Sequence, residues 1–181
     1  MLSKTFSFPT HELQIQALIF AEKLDVTFSG AITEDVNLAD VFKELSEFGG
    51  TVSTICLNVS GVNRINSCGV REWLLFMERL QAKYALEFSF ANETLIEQAA
   101  ITPNILGKDG TPVRRFDAPF FCAKCNQRRM IKFESSSVQF LGDQPSLPQP
   151  QTCEKCKGNL EFDAIEDEYL SFIKHHISNP A

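Results

Sequence analysis

The chain has 181 residues, of which 44% are hydrophobic and 22% are charged, and its net charge is −6. The apolar content excludes disorder as the main state, and the length exceeds one small domain but falls short of two full ones. Residues 1–113 hold 8 Lys or Arg against 14 Asp or Glu, whereas residues 114–160 hold 8 against 4, a distribution that excludes a protein coating nucleic acid.

The N-terminus and the apolar runs predict the cellular compartment. The chain opens on polar residues after Met1-Leu2, which predicts no signal peptide. The densest apolar stretch, residues 17–21, is far shorter than the roughly 18–20 residues of a membrane span. We therefore expect a cytoplasmic protein with no membrane contact.

Strand and helix patterns alternate along the first hundred residues. In chain order they predict strands over 14–20 and 24–28, a helix over 36–48, a strand over 51–59, a helix over 70–84, a strand over 86–91 and a helix over 94–100. Asn66-Ser67 suits the cap of the longest helix. The alternation predicts an α/β fold in which a mixed β-sheet is packed with helices.

The segment between the third predicted strand and the longest helix reads as a strand end, a short turn and a helix start. Its sequence is Leu57-Asn58-Val59-Ser60-Gly61-Val62-Asn63-Arg64-Ile65-Asn66-Ser67-Cys68-Gly69-Val70. It resembles the STAS family of anti-sigma factor antagonists and sulfate transporter tails, whose pattern here is Leu-Ser-Gly-Val-x-x-Ile-Asp-Ser-Ser-Gly. Residues 26–32 also resemble the family segment before its first long helix, and the resemblance covers about residues 12–103.

This resemblance implies a STAS-like domain over residues 1–106 that acts as a non-enzymatic signalling regulator. Its partner would be an anti-sigma factor or a Ser/Thr kinase, and the helix-start serine would be phosphorylated. The partner-binding residues that it implies are Asn63, Arg64, Asn66, Ser67, Cys68, Gly69 and Arg71.

Two positions depart from the family pattern. Asn66 stands where the family has Asp, and Cys68 stands at the usual phosphoacceptor. Ser67 matches the first serine and is the remaining phosphorylation candidate, with a plain helix N-cap or a constitutive, unphosphorylated site as alternatives. We interpret Cys68 as a small buried residue beneath the turn, and a redox-sensitive thiol at a helix N-terminus is the alternative. Cys56, in mid-strand, is expected in the core.

The other four cysteines form two Cys-x2-Cys pairs, Cys122-Ala-Lys-Cys125 and Cys153-Glu-Lys-Cys156. Two such turns supply four thiolates in a tetrahedron, which predicts a zinc ribbon over residues 117–162 with zinc as its cofactor. All four positions are filled by protein, so the metal is expected to be structural. Two disulfides are disfavoured without a secretory signal, whereas iron in a rubredoxin-like site stays open.

Three local features of the C-terminal part complete the prediction. The Ser-, Gln- and Pro-rich residues 135–150 are expected as a loop inside the ribbon, and Gly158 as a turn residue with positive φ. Residues 107–116 form a connector. Residues 163–181 are expected to carry an amphipathic helix over 164–177, capped by Asp163, which either docks on the ribbon or binds a partner.

Basic and aromatic residues alternate around the first cysteine pair, which raises an alternative function. Such a pattern on a ribbon can grip nucleic acid, which would make the chain a nucleic-acid-binding protein in transcription regulation. The competing interpretation is that the phenylalanines form the ribbon core while the cations are solvated or face the acidic domain. The residues are Arg114, Arg115, Phe116, Phe120, Phe121, Lys124, Arg128, Arg129, Lys132 and Phe133.

Overall fold

The N-terminal part of the chain forms a five-stranded mixed sheet. The computed structural model describes residues 2–7, 13–20, 22–108, 111–142, 144–148 and 151–174. The elements are β1 (Leu2–Ser7), β2 (Leu13–Phe20), β3 (Lys23–Ile32), α1 (Leu38–Gly49), β4 (Thr54–Ile65), α2 (Ser67–Lys83), β5 (Ala85–Phe90) and α3 (Glu93–Ile101). The strand order is β1-β2-β3-β4-β5, antiparallel from β1 to β3 and parallel from β3 to β5. The predicted mixed α/β sheet is confirmed, and β1 is an addition that the sequence pattern did not predict.

The core of this sheet is aromatic. Trp73 of α2 is fully buried and makes edge contacts with Phe28 of β3 and tilted contacts with Phe76, at ring-centroid distances of 5.3 and 5.6 Å. Its indole Nε1 donates a 2.8 Å hydrogen bond to the carbonyl of Ile105. Because Trp73 is the single tryptophan of the chain, its fluorescence reports on this part of the molecule alone.

The predicted strand and turn around residue 60 need a correction. Strand β4 does not end at Val59 but continues through Ile65, paired with β3 as far as Ile32 and with register shifts on the way. A Cβ at Gly61 would lie 2.3 Å from the Ser29 hydroxyl, so glycine lets the two strands approach. Ser60-Gly61, which has the composition of a turn, is therefore a close strand contact, and the change from strand to helix takes place at Asn66.

The predicted connector continues the sheet. Phe88 pairs with Val113 and Ala91 with Phe116 in parallel bridges next to β5. The Phe88 N–H donates to the carbonyl of Pro112 at 2.6 Å, and the Arg114 N–H donates to the carbonyl of Phe88 at 2.8 Å. The segment thus ties the ribbon to the edge of the N-terminal sheet.

A second sheet contains the cysteine pairs. Its strands are β6 (Arg115–Cys122), β7 (Gln127–Glu134), β10 (Gln151–Thr152) and β11 (Asn159–Phe162), in the antiparallel order β10-β11-β6-β7. Residues 135–150, predicted as a loop, include a hairpin of β8 (Gln139–Leu141) and β9 (Gln144–Ser146). Pro145 within β9 and Leu147 directly after it are buried, which gives this polar segment an apolar contact.

The prediction of one continuous C-terminal helix is wrong. The structure has two short segments, α4 (Glu166–Tyr169) and α5 (Ser171–Lys174), separated at Leu170, and residues 175–177 lie outside the described part. Side chains 169, 170, 172 and 173 are all buried, whereas Ile165 is 64% exposed. These four positions fall on one side of a helix, as the apolar pattern predicted, but the helix is interrupted at Leu170. Within the described residues no helix is long and apolar enough to cross a bilayer.

These segments dock on the ribbon. Phe172 contacts Phe116 edge-on at 5.3 Å, and Tyr169 contacts Phe162 at 5.6 Å. The Tyr169 hydroxyl donates to the carbonyl of Asp117 at 2.7 Å. Asp163 does not cap a helix: its carboxylate accepts a 2.8 Å hydrogen bond from Arg128, and Ile165 precedes α4 without a side-chain cap.

A pH-dependent ion pair joins Glu87 of β5 to Arg114, in the segment that leads to the ribbon. The Glu87 carboxylate accepts hydrogen bonds from Lys23 at 2.9 Å and from Arg114 at 2.6 Å. Burial by itself would raise the pKa of Glu87, but the bonds from Arg114 and Lys23 outweigh it and lower the pKa to about 2. Because this pKa lies below the ordinary value of 4.5, the contribution is present at neutral pH and is lost as the pH falls through 4.5 towards 2.

We therefore expect Glu87→Gln to remove part of the acid sensitivity. Urea midpoints followed by Trp73 fluorescence should converge for the variant and the parent protein as the pH is lowered from neutrality to 3 or below. Acid release of a metal from the ribbon affects both proteins alike and cancels in the difference. A gap between the midpoints that stays constant over this range would contradict the assignment.

Candidate functional site

The two cysteine turns meet at one point. The sulfur atoms of Cys122, Cys125, Cys153 and Cys156 all lie within 4.8 Å of one another. Across the turns, the sulfurs of Cys122 and Cys156 are 3.5 Å apart and those of Cys125 and Cys153 are 3.8 Å apart. Four sulfurs placed about 2.3 Å from a tetrahedral zinc ion stand about 3.8 Å from each other. The cysteines are free thiols rather than disulfides, and their cluster has the donor set and size of a metal site.

The same backbone turn builds both halves of the cluster. The residue that follows each pair has positive φ, 50° at Asn126 and 57° at Lys157. In the second turn, the Lys157 N–H donates to the carbonyl of Cys153 and the Cys153 N–H donates to the carbonyl of Gly158, both at 2.8 Å. The prediction that Gly158 has positive φ is wrong. A Cβ there would lie 3.3 Å from the Cys156 sulfur, so its glycine is explained by close approach to the cluster.

Hydrogen bonds within the second turn favour ionised sulfur. Backbone N–H groups of Cys156 and Lys155 lower the pKa of Cys153 to about 6, although burial opposes this. Hydrogen bonds from the Cys125 thiol and the Gly158 N–H lower the pKa of Cys156. The same bond between Cys125 and Cys156 raises the pKa of Cys125, which keeps its proton. The thiolate is the form of cysteine that binds a metal, so the lowered pKa values of Cys153 and Cys156 favour metal binding at this turn.

The arrangement suits a structural metal. Cys122 and Cys153 are buried, while Cys125 and Cys156 are partly exposed. Four protein donors complete a tetrahedron, which leaves no coordination position for water or a substrate. Behind the cluster, Phe120 packs against Phe162 at 5.5 Å and extends the apolar core to the cysteine turns.

The residues implied by the STAS resemblance lie where β4 meets α2. Ser67, Cys68 and Arg71 are exposed on the first turns of α2, and Asn63 and Arg64 are exposed at the end of β4. Gly69 is buried, and Asn66 is partly buried. The interpretation of Cys68 as a buried packing residue is wrong, because the neighbouring Gly69 is the residue that turns inward against β3.

Asn66, not Ser67, is the N-cap of α2. Its side-chain oxygen accepts a 2.8 Å bond from the Gly69 N–H, and its backbone N–H donates to the carbonyl of Ile32 at 3.3 Å. Its side-chain amide donates to Glu34 at 2.5 Å, and this bond lowers the pKa of Glu34. Ser67 is therefore the first helical residue, and its hydroxyl is not the cap that one reading of the sequence assigned to it.

The bond to Glu34 favours an amide over a carboxylate at position 66. Aspartate caps helices as well as asparagine does. At position 66, however, a carboxylate would face the Glu34 carboxylate at hydrogen-bonding distance. We expect Asn66→Asp to lower the melting temperature at neutral pH through this repulsion.

The Glu34→Gln substitution provides the matched rescue for Asn66→Asp. The amide it introduces can donate to the new carboxylate, so the double variant should regain the melting temperature that the single variant loses. Thermal unfolding by circular dichroism at neutral pH measures both. A single variant as stable as the parent protein, or a double variant no more stable than the single one, would contradict the pairing.

Sequence reasoning missed a groove beside this surface. It lies along α2, has a volume of about 330 Å³, and is lined by Arg71, Leu74, Leu75, Met77, Glu78, Gln81, Asn104 and Lys108. Leu75 is 42% exposed and adds apolar surface to the wall of this groove. The signal in the sequence was its position off the apolar stripe of the predicted helix, next to Leu74.

The cations of the ribbon are partly engaged with the acidic N-terminal part. Arg128 contacts Glu93 of α3 as well as Asp163, and Arg114 is bonded to Glu87. Lys132 lies over the ring of Phe90 at 5.2 Å. Phe116, Phe120 and Phe133 are buried. These contacts favour the reading of the basic and aromatic residues as a ribbon core with cations facing the acidic domain.

Comparisons with known proteins add little. No protein-family model and no curated protein matches the chain. It is similar to two crystal structures of a protein named Mglu, one of them in its native form, at 23% identity with a TM-score of 0.35 and at 21% identity with a TM-score of 0.33. Each match covers 40% of this chain, and the chain spans 18% and 21% of the two Mglu chains.

Proposed function

We propose that this chain is a non-enzymatic cytoplasmic regulator that resembles anti-sigma factor antagonists and binds a partner protein through the start of α2. The observation that supports this most is the exposure of Ser67, Cys68 and Arg71 together on a rigid strand-to-helix junction. Rigid scaffolds that present exposed polar residues are the usual carriers of recognition. The partner class, an anti-sigma factor or a Ser/Thr kinase, follows from the STAS resemblance.

The groove along α2 extends this surface. Arg71 belongs both to the exposed junction and to the groove wall, and the groove adds the apolar contact of Leu75. A polar rim around an apolar centre is the usual composition of a protein–protein interface. We therefore place the partner across residues 63–71 and the adjoining face of α2.

Phosphorylation of Ser67 is the control we propose. Ser67 is exposed and is the first residue of a 17-residue helix, so a phosphate there would lie at the positive end of the helix dipole. It would also add nearly two negative charges within a few residues of Arg71 and Arg64. This added charge would change the affinity of the surface for a charged partner protein.

The ribbon is assigned a structural or docking role with zinc as its metal. Its four-cysteine donor set suits zinc and leaves no open coordination position. The engagement of Arg114 and Arg128 by carboxylates supports protein binding over nucleic-acid binding as the function of the chain.

Two substitutions that add negative charge at the start of α2 test the proposal. We expect Arg71→Glu and Ser67→Asp to reduce partner recovery from extracts of cells that make this protein by at least about tenfold, because both place a negative charge in the interface. Arg79→Glu, at an exposed position further along α2, is the matched control and should retain every partner.

Quantitative mass spectrometry of the captured proteins measures the effect, and the same instrument detects phosphate on Ser67 in protein from those cells. If Arg71→Glu and Ser67→Asp recover the same proteins in the same amounts as the parent chain, the assigned surface is wrong.

A further inference from the structure

Strand β7 forms an open edge of the ribbon sheet. In the order β10-β11-β6-β7, its hydrogen-bonded neighbour among the described strands is β6. The other row of its backbone N–H and C=O groups therefore faces away from the sheet, which is a template for an added strand. This edge belongs to neither the metal cluster nor the α2 surface.

A pocket adjoins this edge. It has a volume of about 560 Å³ and lies between residues 129–132 of β7, residues 151–155 at the second cysteine turn, and Leu160 of β11. The strand register places Arg129 opposite Phe120 and Ile131 opposite Ala118, on the buried face of the ribbon. The C-terminal segments cover this face at Phe116, and the pocket lies at its other end.

The pocket wall combines apolar and cationic groups. Ile131 and Leu160 supply apolar surface, and Arg129 and Lys155 supply positive charge. The acidic groups of the lining are Glu154 and the sulfur of Cys153, which belongs to the metal cluster. The Arg129 guanidinium donates at 2.5 Å to the neutral side chain of Gln127, so its charge is not compensated by that contact. Lys132, although it also lines the pocket, pairs in register with Asp117 on the opposite face.

We propose that this edge and pocket bind an acidic, extended peptide segment of a partner protein by strand addition to β7. A strand paired with β7 places every second side chain on the same face as Arg129 and Ile131. An apolar side chain would then enter the pocket, and flanking carboxylates would meet Arg129 and Lys155. Main-chain hydrogen bonds supply the affinity in this mode, and the pocket supplies the selectivity.

The lining of the pocket favours a peptide over nucleic acid. None of the described residues that line it is aromatic, so unpaired bases would find no ring on which to stack. The three cations of the lining, Arg129, Lys132 and Lys155, are also a small footprint for a phosphate backbone. The neighbouring Arg128 is paired with Glu93 and Asp163.

A titration of the full, zinc-loaded chain with a short synthetic peptide tests the proposal. The probe alternates Glu with Val, is blocked at both ends, and is added to millimolar concentration while amide resonances are recorded by NMR. We expect shifts along β7 and at residues 151–155, with slower hydrogen exchange at every second amide of β7. A peptide with alternate N-methylated amides should not bind, because it cannot complete the ladder.

Charge reversals test the pocket. We expect Arg129→Glu combined with Lys155→Glu to weaken binding by at least about tenfold. Lys43→Glu combined with Arg79→Glu changes the net charge equally at exposed positions on α1 and α2 and should leave the affinity unchanged. Zinc content and Trp73 emission confirm that both variants are folded.

Several results would overturn the proposal: no binding of the alternating peptide, equal binding of the N-methylated peptide, or equal weakening by both double variants. A single-stranded oligonucleotide that binds at the same residues when the peptide does not would assign the site to nucleic acid instead. None of these results affects the α2 surface, which the Arg71→Glu comparison tests separately.

Discussion

Replacement of Cys153 by serine is expected to abolish metal binding and unfold the ribbon sheet. Cys153 is buried, and its sulfur is 3.8 Å from that of Cys125 across the cluster. Serine offers a hard oxygen donor that is protonated at neutral pH, so the fourth thiolate is lost. Structural zinc contributes on the order of 10 kcal/mol to folding in small zinc modules, more than a sheet of this size can replace.

Native mass spectrometry of the parent chain and the variant measures the first part of this expectation. The parent protein should carry a single zinc ion, and the variant none. Cys68→Ser is the matched control, because Cys68 is exposed and lies outside the cluster. That control should keep its metal. Iron in place of zinc would correct the metal but not the site, whereas a fully loaded Cys153→Ser protein would contradict the site.

The two sheets should respond differently to loss of the metal. Trp73 contacts Phe28, Phe76 and Ile105, all within the N-terminal part. We therefore expect a strong chelator to leave Trp73 emission nearly unchanged while residues 115–162 lose amide protection. The bridges that join β5 to residues 113–116 connect the two parts and could be lost together with the metal. Simultaneous loss of Trp73 burial would mean that the ribbon is required for the N-terminal fold.

The sequence predicted best those features that depend on local periodicity or on ligand spacing. Apolar residues at helical spacing in α2 and the continuous apolar run in β4 identified the sheet and its longest helix. The two Cys-x2-Cys turns identified the metal cluster, because ligand geometry needs few residues close together in the chain.

Features that depend on distant contacts were missed or misplaced. Ser60-Gly61 has turn composition but forms part of β4, because Ser29 of β3 approaches it closely. The apolar C-terminal residues suggested one helix, but the chain forms two short helices, α4 and α5, separated at Leu170. The prediction for Cys68 assigned the wrong face of α2 to the core, because the helix buries Gly69 and leaves Cys68 exposed.

Gly69 is important both for packing α2 on the sheet and for orienting the proposed partner surface. It lies in the first turn of α2, where the helix passes over the end of β3. A Cβ at this position would lie 2.1 Å from the carbonyl oxygen of Ile32 and 2.7 Å from its carbon. Both are backbone atoms, and the same carbonyl accepts the bond from the Asn66 N–H. The clash therefore cannot be relieved by a change of side-chain rotamer.

Two opposing effects decide the stability of Gly69→Ala. Alanine favours a helix over glycine by about 1 kcal/mol, whereas overpacking against fixed backbone costs about 3 kcal/mol. We expect a net loss of about 2 kcal/mol, which lowers the melting temperature by about 6 °C in a protein of this size. The helix start would also move away from β3, so partner recovery should fall together with stability.

Neighbouring positions of the same turn provide the controls for Gly69→Ala. Ser67→Ala and Cys68→Ala alter exposed side chains and should stay within about 0.5 kcal/mol of the parent protein. Urea unfolding followed by Trp73 fluorescence measures all three variants. A Gly69→Ala protein as stable as these controls would show that α2 does not pack this closely on Ile32. Residues 67 and 71 would then not be held in the orientation on which the proposed interface depends.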